Sequence, residues 1–106
     1  MTDQKRLELH EKFAEILGSR NVYFQPPESV RMSYPAIVYN LSNVKPKRAN
    51  NDMYVFWKRY SVTVIDKDPE ADWVESMLDA FEYCQFERHY AADNLNHWQF
   101  SIYYKN

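Results

Sequence analysis

The sequence predicts an α+β protein: a mostly antiparallel sheet of about four strands with two helices packed on one face, in the order α-β-β-α-β-β. Three observations carry that expectation. Leu9 to Leu17 and Val74 to Phe81 repeat their apolar residues at helical spacing. Tyr34–Val44, Met53–Asp66 and His97–Tyr104 read as strands, the last alternating cleanly between apolar and polar positions. The chain has 106 residues and shows no internal repeat, low-complexity tract or linker, so residues 1–106 are expected to form a single domain with a modest core.

Thr2 or Asp3 is placed to cap the first helix, which Leu9, Phe13, Ile16 and Leu17 continue at i, i+4, i+7 and i+8. Gly18, the only glycine, stands where a left-handed residue would close that helix. Asn21–Phe24 is a candidate short strand. Pro26-Pro27 then breaks regularity, and Glu28–Tyr34 reads as irregular chain. The segment YPAIVYNLSNV, Tyr34–Val44, is apolar on both faces near its middle, as a central strand would be. KPKRANND, Lys45–Asp52, is polar and turn-forming. In the long strand Met53–Asp66, Phe56, Tyr60, Val62 and Val64 share one face and Arg59, Ser61 and Thr63 the other. Together these runs make a hairpin with a long connection.

At the join after Asp66, Asp68 suits an N-cap, Pro69 the first helical position, and Glu70 and Asp72 the first turn. Val74, Met77, Leu78 and Phe81 supply the buried stripe of the second helix. The carboxylate pairs Asp66/Asp68 and Asp68/Asp72 therefore have structural tasks and need no catalytic one. Phe86–Tyr90 is a short strand, AADNLN a turn, and His97–Tyr104 the last strand. Its Trp98, Phe100, Ile102 and Tyr104 should face the core, and His97, Gln99, Ser101 and Tyr103 the wetter side.

Composition narrows the chemistry. One glycine rules out phosphate-cradling and dinucleotide-binding loops, so no cofactor is expected. Cys84 is the only cysteine, which excludes an intrachain disulfide and a thiolate cluster and fits a reducing compartment. His89 and His97 could meet across the last hairpin near Cys84, yet zinc would need a fourth ligand, and His10 lies far away in sequence. No metal ligand and no catalytic residue is assigned. A net charge of -2 argues against a surface wholly adapted to nucleic acid. Neither a signal-peptide core nor a membrane-length apolar run is present, so a cytoplasmic protein without membrane contact is expected.

Two groups of residues remain as candidates for function. Lys45, Lys47 and Arg48, with Asn50 and Asn51, form a basic loop that could meet phosphates or an acidic partner; charge for solubility is the plainer explanation. The other group is aromatic. Three Trp, nine Tyr and six Phe are 17% of the chain, more than a small core requires. Tyr54, Phe56 and Trp57, and Tyr103 and Tyr104, cannot all face one core and are candidate subunit contacts.

The stretch YPAIVYNLSNVKPKRANNDMYVFWKRYSVTVIDKDPEADWVESMLDAF resembles the tail-completion or tail-terminator proteins of long-tailed bacteriophages and prophages. That family shows the same succession of a Tyr-Pro strand, a loop rich in Lys, Arg and Asn, a YSVTVIDKDP-like strand and a helix. The resemblance implies a non-enzymatic α+β subunit of the virion tail or neck, assembled in the host cytoplasm. It implies a ring, commonly hexameric, at the head-proximal end of the tail tube. Its partners would be other copies of itself, the tail-tube protein and head-tail connector proteins, with transient DNA contact at the Lys45–Arg48 loop. Neck proteins of the stopper and adaptor kind share this size and role. A small binding module that uses the basic loop is the other alternative.

Overall fold

A computed structural model describes residues 4–27, 29–48 and 54–105, with residues 43–48, 54–57 and 105 described by backbone alone. Its elements are α1 (Gln4–Leu17), β1 (Val22–Phe24), β2 (Ala36–Arg48), β3 (Tyr54–Asp66), α2 (Trp73–Ala80), β4 (Cys84–Ala92) and β5 (Leu95–Lys105). The α+β class and the placement of both helices on one face match expectation. The sheet has five strands rather than four, in the order β1-β2-β3-β5-β4, and it is mixed. Val22–Phe24 adds a short parallel strand against Ile37–Tyr39, and every other pairing is antiparallel.

Alternation in the strands decides which face is buried. Ile37 and Tyr39 on β2, Tyr60, Val62 and Val64 on β3, and Trp98, Phe100 and Ile102 on β5 occupy matching register positions and are all buried. Onto this face α1 brings Leu9, Phe13, Ala14 and Leu17, and α2 brings Met77. Phe13 links the layers, with its ring 5.0 Å from Tyr39 and 5.4 Å from Phe81, centroid to centroid. Gly18 closes α1 as expected: its φ is 76°, and its N–H donates to the Ala14 carbonyl at 2.9 Å. The proposed caps Thr2 and Asp3 lie outside the described residues, as does Glu28.

The second helix starts later than its sequence suggests. Asp68 does not cap it; α2 begins at Trp73, with Asp72 at the N-cap making no side-chain cap bond. Instead Asp66 Oδ1 accepts from the Asp68 N–H at 3.2 Å, and Asp68 Oδ1 accepts from the Glu70 N–H at 2.9 Å. These short-range bonds hold the backbone in turns that compete with helix initiation. The Trp73 indole then donates to Asp66 Oδ2 at 2.8 Å and anchors the start of α2. Leu78 leaves the buried stripe and is 43% exposed.

Strand boundaries also move. Lys45, Lys47 and Arg48 belong to β2 rather than to a loop, paired with Trp57, Val55 and Tyr54. Pro46 has no N–H to donate, and β2 tolerates it because no strand lies on its outer side at that level. β4 spans Cys84–Ala92, longer than the expected Phe86–Tyr90. A two-residue turn joins it to β5, with Asp93 and Asn94 at φ 54° and 64°, the left-handed pair of a type I′ hairpin. Ser101, expected on the wetter side, is buried beneath the Arg59 guanidinium, whose Nη2 donates to its Oγ at 3.2 Å.

Two outcomes follow for stability. Phe13→Ala should lower the unfolding free energy by about 3–5 kcal/mol, the range for deleting a buried aromatic ring. Urea denaturation would measure it, and a loss below about 1 kcal/mol would mean the ring is not the joint between layers. His10 Nδ1 lies 2.8 Å from the Tyr39 hydroxyl, and burial, followed by the nearby Arg6 charge, lowers the His10 pKa from its ordinary 6.5. The folded state therefore binds fewer protons here than the unfolded chain. Stability should be complete above pH 6.5 and decline as pH falls through the lowered value, and His10→Gln should flatten that slope.

Candidate functional site

Three surfaces gather the residues singled out by sequence, and each follows from how a strand ends. The first is the β2–β3 ribbon. Gln25, at φ 45°, turns the chain away from β2 after Phe24. Its N–H donates to the Tyr39 carbonyl at 2.9 Å, and its Oε1 accepts from the Leu41 N–H at 3.3 Å, which ends the parallel pairing. Beyond Leu41 the outer edge of β2 has no strand beside it. Ser42 is the extra residue of a bulge, and its Oγ donates to the Arg59 carbonyl at 2.9 Å. On the other side β5 accompanies β3 only as far as Trp57, opposite Lys105. From there Pro46–Arg48 and Tyr54–Phe56 continue with no third strand beside them among the described residues. Ser42 to Arg48 reaches about 20 Å, and the molecule measures 52 × 28 × 22 Å.

This register brings the two candidate groups together. Lys45 stands opposite Trp57, Lys47 opposite Val55 and Arg48 opposite Tyr54, with Phe56 opposite Pro46. The basic and aromatic residues are thus cross-strand neighbours on one ribbon, not a loop followed by a strand. Asn50 and Asn51 lie outside the described residues, and the side chains of Lys45, Lys47, Arg48, Tyr54, Phe56 and Trp57 lie outside the description as well.

The second surface is the end of β5 beside that ribbon. Tyr103 and Tyr104 are half-buried, and with Lys12, Phe81 and Tyr83 they line a depression of about 370 Å³. The Lys12 ammonium lies 5.2 Å from the Tyr104 ring centroid and 5.9 Å from that of Phe81, distances at which a cation is drawn to an aromatic face. Tyr83 is 49% exposed. Alternation separates the two tyrosines: Tyr104 packs against the core and Tyr103 occupies the opposite face.

The third surface is the sheet face that the helices leave uncovered. Arg59, Ser61, Thr63, Gln99, Ser101 and Arg88 line a groove of about 350 Å³ there, together with Glu87. The Arg59 Nε is buried with no acceptor among the described residues. Arg88 donates through Nε to Gln99 Oε1 at 2.7 Å and lies over the Tyr90 ring at 4.9 Å. Neither guanidinium has a carboxylate within ion-pair distance among the described residues. Sequence reasoning placed Arg59 on the wetter face but gave it no role, and it passed over Arg88. Arg88 owes its position to a bulge at Glu87, between Phe86 and Arg88, and alternation alone does not reveal bulges.

The remaining chemical candidates do not converge. His89 is opposite Trp98 on the helix side, its ring 5.1 Å from the indole, whereas His97 stacks on Tyr90 at 4.6 Å on the open side. Cys84, half-buried opposite Ile102, has its thiol pKa pushed up to about 11 by burial. Among the described residues no group of three or more His, Cys, Asp or Glu could hold a metal ion, and no helix is long and apolar enough to cross a membrane. No protein-family model matches the chain, and no curated protein aligns with it significantly.

The thiol offers a direct check. Alkylation of Cys84 in the folded protein should be slow at pH 8 and accelerate only as pH approaches about 11. A fast reaction at pH 7 would mark an activated nucleophile instead.

Proposed function

We propose that the protein is a non-enzymatic building block of a bacteriophage tail, a tail-terminator or tail-completion subunit. It forms a ring at the head-proximal end of the tail tube and joins the tube to the head. The observation that carries this reading is the ribbon of β2 and β3, which runs past every other strand with basic and aromatic residues paired across it. Two strands alone are marginal in water. A ribbon of this length is stabilised when a neighbour covers it, and among the described residues β2 has no strand along its outer edge beyond Leu41. The half-buried tyrosines at the adjoining end of β5 extend the same contact region. A ring would bring the ribbons of successive subunits together, and Lys45, Lys47 and Arg48 would then concentrate positive charge where DNA passes. The resemblance of Tyr34–Phe81 to phage tail-completion proteins supports the same assignment. Its partners on this reading are further copies of the chain, tail-tube protein and head-tail connector proteins, and it resides in the virion neck.

Light scattering on size-fractionated protein, alone and with tail-tube protein across a concentration series, tests the reading. A discrete ring is expected in at least the mixed sample, and a strict monomer in every condition would overturn it. A monomer whose salt-sensitive DNA binding disappears in Lys45→Glu/Lys47→Glu/Arg48→Glu would point to the alternative, a binding module built on the ribbon.

A further inference from the structure

The open sheet face and the outward face of α2 carry complementary charge. On the sheet, Arg59 and Arg88 are held by Ser101 and Gln99, two residues apart on one face of β5, so their anchors are about 7 Å apart. Neither has a carboxylate partner among the described residues. On α2, Glu75 and Asp79 are exposed one helical turn apart, a spacing of about 5–6 Å. Asp72 precedes them, Glu82 follows, and Leu78, 43% exposed, lies between. These carboxylates have no basic partner among the described residues either.

The first helix makes the useful contrast. Two of its three outward acids are matched within the subunit: Glu8 pairs with Lys5 at 3.6 Å, and Glu11 with Arg20 at 2.8 Å, while Glu15 is exposed with no ion pair among the described residues. Where α1 leaves the single acid Glu15 without an ion pair, α2 sets two such acids, Glu75 and Asp79, one turn apart among the described residues.

We infer that the open face of one subunit receives α2 of a second copy, with Glu75 and Asp79 meeting Arg88 and Arg59 and Leu78 laid on the groove between them. This inference rests on the ring reading and names its interface. The two surfaces lie on opposite sides of the sheet, so the contact is head-to-tail, and such contacts close into a ring where the rotation between successive subunits allows it. Glu87, which also lines the groove and precedes Arg88 on the edge strand, is a like charge that the incoming acids would meet.

Two charge-reversed variants provide the test. In Arg59→Glu/Arg88→Glu the open face repels α2 of its own kind, and in Glu75→Arg/Asp79→Arg the helix repels its own open face. Each alone should lose assembly at least tenfold in concentration dependence, measured by light scattering. An equimolar mixture should recover it, because every contact in an alternating ring is then of opposite charge. Circular dichroism confirms the folds; should the double arginine variant fail to fold, Arg88→Glu alone replaces it, since Arg88 is exposed. If the wild type assembles and the variants assemble equally well, or the mixture fails to recover, this interface is wrong while the ring stands. If the wild type never assembles, the ring reading fails and takes the interface with it.

Discussion

Everything in this fold is organised around one ring, that of Tyr39. It is fully buried near the start of β2, and four aromatic or imidazole rings surround it: His10 and Phe13 from α1, Phe24 from β1 and Tyr60 from β3. Each is 5.0–5.9 Å away by centroid, the range in which tilted and edge-on arrangements are favourable. A buried phenol needs a partner for its hydroxyl, and His10 supplies one from the helix. The first helix is therefore fixed by a polar contact at one turn and an apolar one at the next. From Phe13 the packing passes to Phe81 and so to the C-terminal end of α2.

That concentration of large rings on one face has a consequence for the other. With 106 residues and two short helices, the chain has material to cover the sheet once. The uncovered face is largely polar where it meets water, and there Arg59 bonds to Ser101 and Arg88 to Gln99 beside Ser61 and Thr63. Such a network still leaves guanidinium donors over. The buried Arg59 Nε is the clearest case, since an unmatched buried donor costs about 1–3 kcal/mol. A face of this kind is in a lower free-energy state when carboxylates reach it.

How much of this was legible in the sequence depends on the range of the deciding interaction. Alternation in Trp98, Phe100 and Ile102 and the helical stripe of Leu9, Phe13 and Leu17 report burial directly, because each residue's direction follows from its own strand or helix. The short parallel strand was visible only as a candidate, since pairing with Ile37–Tyr39 is a long-range choice. Asp68 reads as a cap until its bond to the Glu70 N–H is known, and then it belongs to a turn. Lys45–Arg48 reads as loop because Pro46 and three cations have poor strand propensity. Pairing with Tyr54–Trp57 overrides that propensity. The groove of Arg59 and Arg88 depends on a one-residue bulge, which no periodicity encodes.

These surfaces share one physical origin. β1 stops after Phe24, where Gln25 occupies the next donor, and among the described residues β5 pairs with β3 as far as Trp57, opposite Lys105. The central pair runs on past them, so the sheet ends in a ribbon with one uncovered edge. On the far margin β4 has neighbours on one side only, and its outer edge carries Glu87, Arg88 and His89, all exposed. Charge and a bulge keep that edge from joining another sheet indiscriminately. The outer edge of β2 carries devices of the same kind, a bulge at Ser42 and the run Lys45, Pro46, Lys47 and Arg48. Devices of this kind on both margins disfavour indiscriminate pairing and leave recognition to the side chains that each edge presents.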